Sequence, residues 1–104
     1  MSLQPQFQPD PRREPSARDV LAPLRRAREL QLEGHYNAAE SRYRAVLKLE
    51  PRQPQALFHL ALLLESLGRP VEALRHLRTA IDVDPDLPGA RERLDDLLEK
   101  LGRR

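Results

Sequence analysis

Apolar residues recur at helical spacing from about Val20 to Leu101, interrupted at intervals by glycine and proline. Leu24, Ala27 and Leu30 fall on one face of a helix that stops at Gly34. Pro23 suits a first turn beginning near Ala22, a start preferred here over a capping box at Ser16 and Asp19. Ala39, Tyr43, Val46 and Leu47 form the stripe of a second helix over residues 37–49, capped by Asn37 and ended by Pro51. Pro54 opens a third helix in which Ala56, Leu57, Leu60, Ala61, Leu63, Leu64 and Leu67 cover most of the circumference, so it is expected at the centre of the fold, with Gly68 as a left-handed C-cap. Pro70 opens a fourth, carrying Ala73, Leu74, Leu77, Ala80 and Ile81 as far as the Asp84-Pro85 pair. Pro88 opens a fifth, with Leu94, Leu97, Leu98 and Leu101 inward and Arg91, Glu92, Arg93, Asp95, Asp96, Glu99 and Lys100 outward.

The breaks are evenly spaced. Gly34, Gly68 and Gly102 are 34 residues apart, as are Ala39 and Ala73, and Pro51 and Pro85. Laying residues 54–104 over residues 20–70 makes 16 of 51 pairs identical, among them Leu60/Leu94, Leu63/Leu97, Leu64/Leu98 and Leu67/Leu101. A fixed period of this length is the signature of a helical repeat array. The expected organisation is a flexible, proline-rich segment over residues 1–19, one repeat over 20–53, a second over 54–87, and a half repeat over 88–104. That half repeat is a solvating helix, its charged outer face suiting the end of an array.

Composition narrows the function. The chain has no cysteine, which removes disulfides, thiolate nucleophiles and thiolate metal sites. No apolar run approaches the roughly 18–20 residues that cross a bilayer, and the polar start Met1-Ser2-Leu3-Gln4 lacks the order of a secretory signal, so a cytoplasmic protein is expected. Residues 1–53 hold ten Arg or Lys against seven Asp or Glu, a charge of +3, and residues 54–104 hold eight against nine, a charge of −1. Sixteen of the 18 cations are arginine. The basic cluster Arg12, Arg13, Arg18, Arg25, Arg26 and Arg28 is diluted by Asp10, Glu14, Asp19 and Glu29 and lacks interleaved aromatic residues, which argues against a nucleic-acid platform.

The 34-residue unit resembles the tetratricopeptide repeat family, over residues 20–102. In the second repeat Leu57 stands at the family's tryptophan position, Leu60-Ala61 at its leucine-glycine pair, Leu64 at its tyrosine, Ala73 at its alanine, Leu77 at its aromatic and Pro85 at its proline. The first repeat departs from the pattern at Pro23 and Arg26 and keeps it at Ala27, Leu30, Gly34, Ala39, Tyr43 and Pro51. The resemblance implies an all-α, right-handed α-solenoid of about five antiparallel helices, two repeats plus a C-terminal capping helix. It implies no cofactor and no catalysis, and a concave surface that binds another protein or peptide.

In that family the first helix of each repeat lines the concave surface. Projected onto this chain, Leu21, Leu24, Arg28 and Gln31 lie beside Gln55, Phe58, Leu62 and Glu65, followed by Glu92, Asp96 and Glu99. Phe58 and Leu62, one turn apart, either anchor a partner or add volume to the core. The family's carboxylate-gripping positions hold Leu24, Arg28, His59, Gly89 and Arg93 here, so its lysines and asparagines are missing, and Arg28, His59 and Arg93 remain as candidate donors to one carboxylate. His35, His59 and His76 have no metal-ligand spacing, and Asp82, Asp84 and Asp86 lack the glycine and the distal glutamate of a calcium loop. No phosphate-binding loop or paired nucleophile and base is present. Three function classes are therefore carried forward: a groove that binds a peptide or a partner helix, self-association of identical chains (the N-terminal segment contributing Leu3 and Phe7 as hooks in one variant), and a basic nucleic-acid accessory role.

Overall fold

A computed structural model describes residues 17–102, with side chains described from Leu21. Five helices follow one another: α1 (Ala17–Leu32), α2 (Tyr36–Leu49), α3 (Pro54–Ser66), α4 (Pro70–Val83) and α5 (Ala90–Gly102). Helices α1 and α2 form one hairpin and α3 and α4 another, while α2 packs on α3 and α4 on α5. Helix α1 also touches α3.

The 34-residue period is written into the backbone hydrogen bonds. Gly34 (φ +87°) donates to the Gln31 carbonyl at 3.1 Å and His35 to that of Leu30 at 2.8 Å; one repeat later Gly68 (φ +77°) donates to Glu65 at 3.1 Å and Arg69 to Leu64 at 2.8 Å. Each pair is a Schellman motif, which needs a left-handed residue and so favours glycine. The exits from α2 and α4 also match. Glu50 donates to Val46 and Gln53 to Glu50; Asp84 donates to Ala80 and Leu87 to Asp84. The Asp84 carboxylate accepts the Asp86 N–H at 3.1 Å, so its role is to close this turn.

The core is one cluster. Ala27, Leu30, Ala39, Tyr43 and Val46 from the first hairpin join Ala56, Leu57, Leu60, Ala61, Leu63 and Leu64 of α3, then Ala73, Leu77 and Ala80 of α4 and Ala90 and Leu97 of α5. Alanines fill the tightest positions, Ala27, Ala39, Ala56, Ala73 and Ala80 all being fully buried. Small side chains there let the helix backbones approach one another. Helix α3 buries six residues and is the central element, as its all-round apolar pattern predicts.

Four local expectations need correction. Helix α1 begins at Ala17 and not near Ala22, which moves Ala17–Asp19 out of the preceding segment and leaves Pro23 inside the helix. A proline there removes the bond its own N–H would make to the Asp19 carbonyl and crowds that carbonyl with its ring, so the chain accepts a local defect where sequence reasoning favoured a helix start. Ser16, the rejected alternative cap, lies outside the described residues. Helix α2 begins at Tyr36, with His35 as the capping residue and no side-chain cap bond. The Schellman turn fixes His35 by its N–H, helical geometry resumes at once, and Asn37 arrives too late to cap. Helix α5 begins at Ala90 and not at Pro88, because Gly89 (φ +80°) holds a left-handed turn between them. Finally, Leu98, expected inward, is 40% exposed: among the described residues no helix follows α5, whereas its fully buried counterpart Leu64 lies in α3, which packs on both α2 and α4.

Sequence reasoning also missed two fastenings. Gln53 caps α3, its side-chain oxygen accepting from the Gln55 and Ala56 N–H groups at 2.7 and 3.1 Å. Glutamine is not a favoured cap, so the sequence carried no signal for it. The second is an ion-pair network joining α2 to α4. Arg69 spans Glu40 (2.9 Å) and Glu72 (3.0 Å), and Arg44 reaches Glu40 (2.9 Å) and Glu72 (3.4 Å). Burial works to raise the Glu40 pKa, but hydrogen bonds from Arg69 and Arg44 win and hold it below the usual carboxylate range. The pairs Glu40/Arg44 and Arg69/Glu72 are legible as helical neighbours. Their union across 29 residues is visible only in three dimensions.

Candidate functional site

The first helices of the repeats, α1, α3 and α5, carry the candidate groove residues, and two clefts open along them. One, of about 520 Å³, is lined by Leu21, Leu24, Arg25, Arg28, Glu29 and Leu32 of α1 with Gln53 and Gln55 at the start of α3. The other, of about 430 Å³, is lined by Gln31, Leu62, Glu65 and Ser66 with Arg93 and Lys100 of α5. Arg28 and Gln31 are one turn apart on α1, so the two clefts lie side by side along it.

The expected site residues therefore divide. Leu24, Arg28 and Gln55 meet in the first cleft, and Gln31, Leu62, Glu65 and Arg93 in the second. Leu24 is 6% exposed and serves as floor more than as a contact. Phe58 and His59 line neither of these clefts. Phe58 is partly buried against the core, and its ring tip lies 3.7 Å from where a Cβ on Gly89 would stand. Asp96, Glu92 and Glu99 are exposed on α5.

Beneath the clefts runs a packed polar and aromatic column. The Tyr43 ring is fully buried, and its hydroxyl donates to the Gln31 side-chain oxygen at 2.7 Å, tying α2 to α1. The His59 ring stacks on Tyr43 at 6.3 Å and meets Phe58 edge-on at 5.4 Å. Burial pushes the Tyr43 hydroxyl up to about 12, with Arg28 opposing. Burial, aided by the Arg28 charge, pushes His59 down to about 4, so this imidazole is neutral at pH 7. A neutral ring brings no charge to a carboxylate, which leaves Arg28 and Arg93 as the cations of the three candidate donors. The Glu65 carboxylate accepts from Lys100 at 2.8 Å, bridging α3 to α5 across the second cleft. Of the arginines weighed for nucleic acid, Arg12 and Arg13 lie outside the described residues, the Arg18 side chain is not described, and Arg26 is paired with Glu29 at 3.3 Å. Leu3 and Phe7 also lie outside the described residues.

A family model for the tetratricopeptide repeat matches residues 24–88, well over half of the chain. The chain belongs to the tetratricopeptide repeat family. The match runs from the first cleft's floor at Leu24 to the turn before α5, and so contains both Schellman turns and the core alanines of α1 to α4. No curated protein matches the chain. Tetratricopeptide repeats generally mediate contacts between proteins and are typically non-catalytic. Among the described residues no helix is long and apolar enough to cross a membrane.

Proposed function

We propose that this tetratricopeptide repeat protein is a non-catalytic, cytoplasmic interaction module that receives an extended peptide or a partner helix along the face formed by α1, α3 and α5. The observation that carries this reading is the adjacency of the two clefts, both lined by first-helix side chains. Leu21 and Leu62 offer apolar surface, and Arg28 and Arg93 offer guanidinium groups to carboxylates or carbonyls of the ligand. The Tyr43–Gln31 bond ties α1 to α2 and the Lys100–Glu65 bond ties α5 to α3, so part of the face is held in place before a ligand arrives.

Phe58, packed against the core, is better read as support for this face than as its anchor. The test is therefore made at the half-buried Leu62 and the exposed Arg28, which line the clefts. Affinity capture from the native lysate is compared for wild-type bait, Leu62→Glu and Arg28→Glu, with circular dichroism on each. A protein retained by wild type and lost from both variants, at unchanged helicity, supports the reading. A capture profile identical for all three baits contradicts it.

A further inference from the structure

Tyr43 fixes which way the Gln31 amide faces. The phenol O–H donates to Gln31 Oε1 at 2.7 Å, and because burial pushes the Tyr43 hydroxyl up to about 12, it keeps that proton at any pH near neutral. The oxygen and the NH2 group of an amide diverge from one carbon, so committing Oε1 to Tyr43 turns the Nε2 hydrogens away from it. Nε2 makes no hydrogen bond to another described residue. No buried side-chain nitrogen or oxygen among the described residues lacks a partner, so Nε2 is in contact with solvent. Gln31 lines the second cleft, and its two N–H donors open there.

The other polar groups of that cleft leave a surplus of donors and of positive charge. Ser66 spends its proton on the Leu62 carbonyl at 3.1 Å. Glu65, the carboxylate of the lining, is mostly buried and held by Lys100 at 2.8 Å. Arg93 is exposed and forms no ion pair with another described residue. The cations Arg93 and Lys100 therefore stand against one engaged anion, and the two groups without a partner, Gln31 Nε2 and the Arg93 guanidinium, can only donate.

We infer that this cleft selects a carboxylate side chain of the bound polypeptide, which accepts N–H bonds from Gln31 and Arg93, while Tyr43 acts as a positioning residue that keeps the Gln31 amide turned toward it. A carboxylate satisfies both donors and cancels the surplus charge, whereas a neutral amide in its place brings no charge and sets an NH2 group of its own against theirs. Gln31 and Lys100 stand outside the family's carboxylate-gripping positions, so this selectivity comes from the way Tyr43 and Glu65 are packed in this chain. It rests on the proposed binding face and adds to it the chemistry of what is bound, an acidic segment.

The experiment is a titration of the full chain at neutral pH and constant ionic strength, followed by NMR at the Gln31 side-chain amide and the Arg93 guanidinium. The probes are N-acetylglutamate N-methylamide, its glutamine analogue and inorganic phosphate. A saturating response at both groups is expected for the glutamate probe, with affinity about tenfold lower or worse for the glutamine analogue. Gln31→Glu still accepts from Tyr43 but places an oxygen where Nε2 stood, and is expected to weaken the response at Arg93 about tenfold or more at unchanged helicity. Tyr43→Phe frees the amide and is expected to weaken the response about threefold, which a ring that only fills the core would not do. Equal responses to the glutamate and glutamine probes, a glutamate response that survives Gln31→Glu, or tighter binding of phosphate overturns the carboxylate assignment. A Tyr43→Phe response equal to wild type overturns the positioning role. Capture that depends on Leu62 and Arg28 without any carboxylate response at Gln31 overturns this inference and leaves the binding face standing. A carboxylate response with identical capture by all three baits contradicts the binding face instead.

Discussion

Helices α1 and α3 occupy equivalent places in successive repeats, yet one is an end and the other a middle. Leu60 and Leu63 of α3 and Leu67 just after it are packed into or against the core, and their counterparts in and just after α1 are Arg26, Glu29 and Glu33. Those three form their own surface pairs, at 3.3 Å and 3.9 Å, with side chains about half exposed. Helix α5 makes the same adjustment on its opposite side, where Leu57 and Ala61 of α3 become the exposed Arg91 and Asp95. The repeat frame of glycines, alanines and prolines is common to the helices, and two or three charged substitutions turn an interior face into a terminal one. The conversion is incomplete at Leu98, Leu21 and Leu32, which remain exposed.

The sharpest way to break this contrast is to truncate equivalent leucines. Leu64→Ala, at a fully buried site, is expected to lose about 2–5 kcal/mol in urea unfolding, and Leu98→Ala under about 1 kcal/mol. Equal losses would mean that α5 is as fully enclosed as α3.

Gly34→Ala and Gly68→Ala test the frame that the repeats share. Nothing lies within 4 Å of an added Cβ at either site, so the whole penalty is conformational, about 1–2 kcal/mol, and the same at both. A large difference between them would show that the two turns are not energetically equivalent.

A smaller effect is expected from pH, because His59 is partly exposed and solvent screens its penalty. Its folded pKa of about 4 lies below the ordinary 6.5, so the unfolded chain binds more protons between those values. Stability is therefore complete above pH 6.5 and falls as pH drops toward 4. His76, also lowered by burial and by Arg44 and Arg75, adds in the same direction. Glu40 acts at lower pH, its lowered pKa giving stability that is lost as the carboxylate protonates below its ordinary value of 4.5. Thermal melts at pH 7 and pH 5 should differ for wild type and differ less for His59→Phe. An unchanged difference would place the acid sensitivity elsewhere. The smallest effect belongs to Lys100→Ala, where loss of the exposed bridge to Glu65 is expected to cost under about 1 kcal/mol in the same assay.

The fold was legible in the sequence because its determinants are local and periodic. Gly34 and Gly68 announce left-handed turns, and the leucines of α3 announce its central place. Boundaries failed where one signal competed with another, as Pro23 did with helix continuation, Asn37 with the preceding Schellman turn, and Pro88 with Gly89. Of the candidate site, the family resemblance projected Arg28, Gln31, Leu62 and Glu65 onto the first helices, but it did not show that Phe58 leans into the core, that Tyr43 holds Gln31, or that Lys100 holds Glu65. Those contacts join residues 12 to 35 positions apart and depend on how the helices pack.

The central claim is that partners are received on the face of α1, α3 and α5 and not on the opposite helices. Because the chain has no cysteine, single thiols report directly on that geometry. The decisive measurement is the rate of thiol alkylation at Leu62→Cys and, separately, at Arg78→Cys on the exposed side of α4, with and without the protein captured by wild-type bait. Strong protection of the Leu62→Cys thiol with no change at Arg78→Cys is the predicted result. Protection confined to Arg78→Cys would contradict the account.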